Sequence, residues 1–136
     1  MRAVLDANIL IAALLSRSGA PAQIINRWLG GAFELVVSEA LLSELERALA
    51  YPKLRRRIPP ADAAEFVSLL RLAATVAPDT ASSGFRRSDD PGDDYLLALA
   101  ENEHAVLVSG DHHLLQMADK LPIQTARSLL DGLTDL

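Results

Sequence analysis

The sequence predicts an α/β fold, a three-layer α/β/α sandwich around a central, mostly parallel sheet. Three observations predict it. Short apolar runs alternate with segments of helical spacing along the chain. Gly, Pro, Ser and Asp punctuate the joins, with no repeat and no linker-like stretch. The 136 residues, 50% hydrophobic and 23% charged, suit one domain with one substantial core and exclude a disordered chain. The expected domain is 1–136.

Residues 2–5 are apolar, end at Asp6 and Asn8, and read as a buried strand running into a turn. An Ala/Leu-rich helix over 8–16 closes at the loop Ser16–Gly19. Pro21 suits the first turn of a second helix, whose Ala22, Ile24, Ile25, Trp28 and Leu29 keep helical spacing up to Gly30-Gly31. This face serves the core or a partner. Phe33–Val37 is the second strand. Ser38 caps a helix carrying Leu41, Leu42, Leu45, Ala48 and Leu49 on one face until Pro52. A basic helix covers 52–57. Pro59-Pro60 starts another, with Phe66, Leu69, Leu70 and Ala73 inward, and Thr75–Ala77 is the third strand. The stretch 78–92 has loop composition. A helix over 93–104 is led by acids, which favour a helix N-terminus. Strand 105–108, its turn at 109–111, a short helix over 112–118, strand 122–125 and a terminal helix over 126–133 complete the chain.

Composition narrows the chemistry. With no cysteine, disulfide scaffolds, thiolate metal sites and cysteine nucleophiles are excluded. A net charge of −5 argues against a simple basic nucleic-acid binder. The charge is uneven: Arg47, Lys53, Arg55, Arg56 and Arg57 fall together without an acid, and Asp89, Asp90, Asp93 and Asp94 crowd into six positions. The apolar start is interrupted by Asp6 and Asn8 and is too short to span a bilayer, so a cytoplasmic protein is expected.

Ligands of an open parallel sheet bind beyond the carboxyl ends of the strands, near the point where strand order reverses. Asp6 follows the first strand and Asp111 the fourth, Asp93 opens the helix before the fourth, and Glu44 borders the buried face of the third helix. Four acids from distant segments can therefore meet in one cleft. Their mutual repulsion would be relieved by Mg²⁺ or Mn²⁺, hard cations that take oxygen ligands. Such ions activate water and stabilise the leaving oxygen in phosphodiester cleavage. The acids also have plainer uses: Asp6 as a turn or helix cap, Asp89 and Asp90 as loop solvation and caps, Glu44 as a partly exposed helix residue.

The motifs resemble those of PIN-domain nucleases. VLDANIL matches the first motif through Asp6 and Asn8; SEALLSELERAL offers Glu44 as the helical acid; DPGDDYLLALA and LVSGDHHLL match the third and fourth through Asp93 and Asp111. Asp93 is preferred over Asp94 because Ala98 and Ala100 fall where the family's helix packs on the sheet, while Gly92 leaves Asp90 and Asp94 as competing ligands. The resemblance spans nearly the whole chain in the correct order and is strongest to VapC-like toxins of bacterial toxin–antitoxin pairs. It implies Mg²⁺- or Mn²⁺-dependent RNA cleavage, a homodimer, and an inhibiting antitoxin. It further implies catalysis and metal ligation by Asp6, Glu44, Asp93 and Asp111, with Asn8 and Ser109 supporting the water network.

Arg47, Lys53, Arg55, Arg56, Arg57, Arg86 and Arg87 are candidates for gripping RNA phosphates, or serve as solvated surface. The adjacent His112 and His113 do not share a helix face, so they read as surface residues or as supports behind the metal ligands and not as a paired metal site. Two other readings stand. One is a catalytically silent RNA- or protein-binding module. The other is a phosphatase of the haloacid dehalogenase type, which also starts with an Asp after the first strand. That type needs a second acid where this chain has Asn8.

Overall fold

The computed structural model describes residues 1–79, 94–118 and 121–134. Its five strands are β1 (Arg2–Leu5), β2 (Glu34–Val37), β3 (Thr75–Val76), β4 (Val106–Val108) and β5 (Ile123–Gln124). Every pairing is parallel, in the order β3-β2-β1-β4-β5. The sequence order therefore reverses between β1 and β4, the position at which α/β sheets open a ligand crevice.

Eight helices among the described residues connect the strands. The chain runs from β1 through α1 (Ala7–Leu15) and α2 (Ala20–Leu29) to β2, then through α3 (Glu39–Leu49), α4 (Pro52–Arg55) and α5 (Pro60–Ala73) to β3. α6 (Asp94–Asn102) precedes β4, α7 (His112–Leu115) precedes β5, and α8 (Ala126–Thr134) follows. Right-handed crossovers put the connections on opposite sides of the strand reversal on opposite faces. α1 packs on α2 and α3, α3 on α5, and α2 on α8, while α6 lies against β1 and β4. This is the expected three-layer arrangement. No helix among the described residues is long and apolar enough to cross a membrane.

One continuous core fills the layers. Val4, Leu5, Leu35, Val36 and Leu107 of the strands meet Leu10, Ile24, Leu41, Leu42, Leu45 and Leu70 of the helices. Ala98 and Ala100 are both buried, as small residues on a helix against the sheet. Ile24, Ile25 and Trp28 are also buried, so the apolar face of α2 serves the core, and Leu29 alone is left out at 53% exposure.

Several boundaries differ from the sequence expectation. Ala73 is exposed and Val67 takes its inward place on α5. α4 stops at Arg55, two residues early, and α7 at Leu115, three residues short of the expected 118. α6 stops at Asn102, because His104 adopts φ 52° and closes a Schellman turn: His104 N donates to Glu101 O at 3.3 Å and Ala105 N to Ala100 O at 2.8 Å. That left-handed position ordinarily carries glycine, so its histidine gave no stop signal. The expected start of this helix at Asp93 and most of the 78–92 loop lie outside the described residues.

Candidate active site

The parallel register lines up the residues that follow the strands. Leu5 pairs with Val108, so Asp6 and Ser109 come next to each other in adjacent strands. The Asp6 amide donates to Val108 O at 3.1 Å, continuing the ladder by one step. Among the described residues the buried polar side chains are Asp6, Ser38 and Ser109, all on this carboxyl edge. A buried polar group requires partners, and each has them. Asp6 caps α1 by accepting from Ile9 N at 2.9 Å, and its other oxygen accepts from the Ser109 hydroxyl. Ser38 caps α3, accepting from Leu41 N at 3.3 Å.

Asp111 is one step further out. Its backbone N–H donates to Ser109 Oγ at 2.9 Å, so one hydroxyl links both aspartates. Its carboxylate caps α7, accepting at Oδ1 from His113 N at 2.7 Å and Leu114 N at 3.3 Å. The capping role open to Asp6 is therefore realised, Asp111 caps in the same way, and the two caps fix both carboxylates at the edge. Glu44 is half-buried on α3 and accepts at Oε2 from the Tyr95 hydroxyl of α6.

The charges are coupled. Burial pushes the Asp6 carboxyl above its ordinary value, the hydrogen bonds from Ser109 and Ile9 pull it back, and the charges of Asp111 and Glu44 raise it further. Three of the four expected acids thus share one electrostatic neighbourhood. Among the described residues, no three Asp, Glu, His or Cys side chains are close enough to hold a metal ion by themselves. Asp93, the expected fourth acid, lies outside the described residues, as do Asp90, Arg86 and Arg87. The donor set is carboxylate oxygen without thiolate, which fits a hard divalent cation.

The remaining expected residues are placed as follows. Asn8 is exposed on the first turn of α1, beside the Asp6 cap. Arg47 is exposed in the last turn of α3, and Lys53, Arg55, Arg56 and Arg57 are exposed around α4. His112 and His113 are exposed with rings edge to face at 6.3 Å, which is not a chelating arrangement.

The profile of the PIN domain matches residues 2–113. The chain belongs to the PIN-domain family. The motif order from Asp6 to Asp111 falls inside that match, and the phosphatase reading gives way to it. No curated protein matches the chain by sequence. Solved structures share the fold. PAE2754 from Pyrobaculum aerophilum is similar with a TM-score of 0.70 and 19% identity, over 100% of this chain and 91% of that one. VapBC2 from Rickettsia felis, bound to a DNA fragment from its promoter, aligns with a TM-score of 0.63 and 14% identity, over 92% and 98% of the chains. VapBC-1 from nontypeable Haemophilus influenzae gives 0.61 and 19%, over 93% and 99%.

Sequence reasoning missed Tyr95. It sits next to the acidic run, but nothing local distinguishes it from an interfacial aromatic. Its bond to Glu44, 51 residues away, exists only once α6 packs near α3.

Proposed function

We propose that this PIN-domain chain is a divalent-metal-dependent endoribonuclease, the toxin of a toxin–antitoxin pair. The observation that carries the reading is the convergence of Asp6, Glu44 and Asp111 at the β1–β4 reversal, where two of them raise the pKa of the third. Such repulsion is costly in an empty site and is relieved by cations. Asp6, Glu44, Asp93 and Asp111 would hold Mg²⁺ or Mn²⁺. When bound, such an ion lowers the pKa of an attacking water and neutralises charge on the phosphodiester.

The chain's own residues supply position. Ile9 N and Ser109 hold the two oxygens of Asp6 in a buried setting, while Tyr95 fixes one oxygen of Glu44. Ser109 ties Asp111 to Asp6. Asn8, exposed beside the cap, offers a polar group to the water network. The likeness to VapBC complexes supports an antitoxin partner, and the motif resemblance supports RNA as substrate, a homodimer and a cytoplasmic setting.

The test is cleavage of a labelled single-stranded RNA panel with Mn²⁺, Mg²⁺ or EDTA, alongside Asp93→Asn. Cleavage is expected to need the metal and to vanish in the variant. Metal-independent cleavage, or full activity of folded Asp93→Asn, would overturn the assignment.

A further inference from the structure

We propose that the tip of the α3–α5 hairpin is a second RNA-binding surface, which grips single-stranded phosphates several nucleotides away from the cleaved bond. The proposal rests on the nuclease reading of the acidic cleft and adds a minimum length to its substrate.

Charge is the first observation. Residues 47–57 carry five cations and no acid in a chain of net charge −5. All five are exposed. Among the described residues, Arg2, Arg71 and Arg127 form ion pairs, whereas Arg47, Lys53, Arg55, Arg56 and Arg57 form none. Favourable placement at a helix C-terminus accounts for Arg47. Arg56 caps the C-terminus of α4 and Arg57 follows it, but α4 has only four residues and a correspondingly small dipole, which accounts for little of their charge. An acidic cleft on an acidic chain repels a polyanion, so attraction must come from elsewhere on the surface.

An exposed aromatic is the second observation. Tyr51 opens α4 and is 65% exposed, immediately before Pro52 and Lys53. Cations beside an exposed ring are the chemistry of single-strand binding, in which bases stack and phosphates pair with cations.

The third is position. α1 and α3 both begin at the acid edge, capped by Asp6 and Ser38, and pack against each other as they leave it. α1 has nine residues, so its far end is about 14 Å from its cap. There Leu14, Leu15 and Arg17 line one groove of about 800 Å³ together with Arg57, and α5 adds Asp62 and Glu65 to the same lining. The basic tip therefore stands roughly 15 Å from Asp6, the axial span of about four phosphates in a stacked strand. Arg47 bridges the interval, since it lies three residues past Glu44 and shares its helix face.

The test measures RNA binding in EDTA, where cleavage plays no part. Labelled oligonucleotides of three and twelve nucleotides are titrated against the wild type, Tyr51→Ala, and Lys53→Gln/Arg56→Gln/Arg57→Gln. The twelve-mer is expected to bind the triple variant more weakly. Losing three phosphate contacts lowers the salt slope by about 2, so the wild type's advantage shrinks about 20-fold between 50 and 200 mM salt. Tyr51→Ala, which changes no charge, is expected to weaken twelve-mer binding with an unaltered slope. The three-mer should not distinguish the proteins. Unchanged twelve-mer affinity and slope in the folded triple variant would overturn the proposal, including the case in which the tip instead captures an acidic peptide. Tip-dependent binding without cleavage under any metal would support this surface and overturn the nuclease reading.

Discussion

Replacing Ser109 by alanine probes the coupling between the two aspartates. The hydroxyl is fully buried, donates to Asp6 and accepts from the Asp111 amide. A hydrogen bond to a charged group contributes about 1.5–3 kcal/mol, and an orphaned amide costs about 1 kcal/mol more when it is poorly hydrated. The expected loss is about 2–4 kcal/mol in the metal-free protein, or roughly 6–16 °C in Tm for a chain of this size. Its pH dependence is diagnostic. The Asp6 carboxyl stands above its ordinary value of 3.8 in the folded state, so the folded protein keeps that proton longer than the unfolded chain. Stability linked to Asp6 therefore falls as pH rises above that value, and the cost is complete above the folded-state pKa. Ser109 is the largest of the influences opposing this rise. Its removal pushes the pKa further up, so the Ser109→Ala penalty should be smallest near about pH 4 and grow toward neutrality. Urea unfolding in EDTA across that range measures it. In an Asp6→Asn background the same change should cost only about 2 kcal/mol, about 1 for a neutral hydrogen bond and about 1 for the orphaned Asp111 amide. A penalty independent of pH, or equal in the two backgrounds, would refute the reasoning.

Two further outcomes follow from named contacts. His104→Gly should stabilise the protein by about 1 kcal/mol, since the exposed histidine holds a left-handed φ of 52° at the end of α6; thermal melting checks this, and a lower Tm would contradict it. Tyr95→Phe removes the hydroxyl bonded to Glu44 and should lower Mn²⁺ affinity by about 10-fold or more, as calorimetry would read; unchanged affinity would show that Glu44 needs no such support.

Much of this was legible in the sequence because the signals were local. Pro21, Pro52 and Pro60 stand in the first turns of α2, α4 and α5, and Gly30 ends α2. Asp6 and Asp111 declared themselves as polar residues after apolar runs, and the register placed their strands side by side. The less legible features depend on tertiary packing. β3 and β5 have two residues each, too few to show a period, and exist through pairing with β2 and β4. The inward face of α5 shifted from Ala73 to Val67 because its neighbour α3 chooses which stripe is covered. Asp79 falls within the stretch of loop composition that begins at residue 78. It accepts from Ala40 N at 2.8 Å, adding a second acceptor at the start of α3. The Tyr95–Glu44 bond belongs to the same class, since no spacing rule connects residues 51 positions apart.

The central claim is that the buried carboxylate at the β1–β4 reversal serves catalysis at a cost to stability. Asp6→Asn tests it most directly, with RNA cleavage in Mn²⁺ and unfolding in EDTA measured on the same preparation. Asparagine keeps an oxygen for Ile9 N and removes the charge that Glu44 and Asp111 repel. The account predicts loss of cleavage in a protein at least as stable as the wild type at neutral pH. Retained cleavage by the folded variant would contradict it.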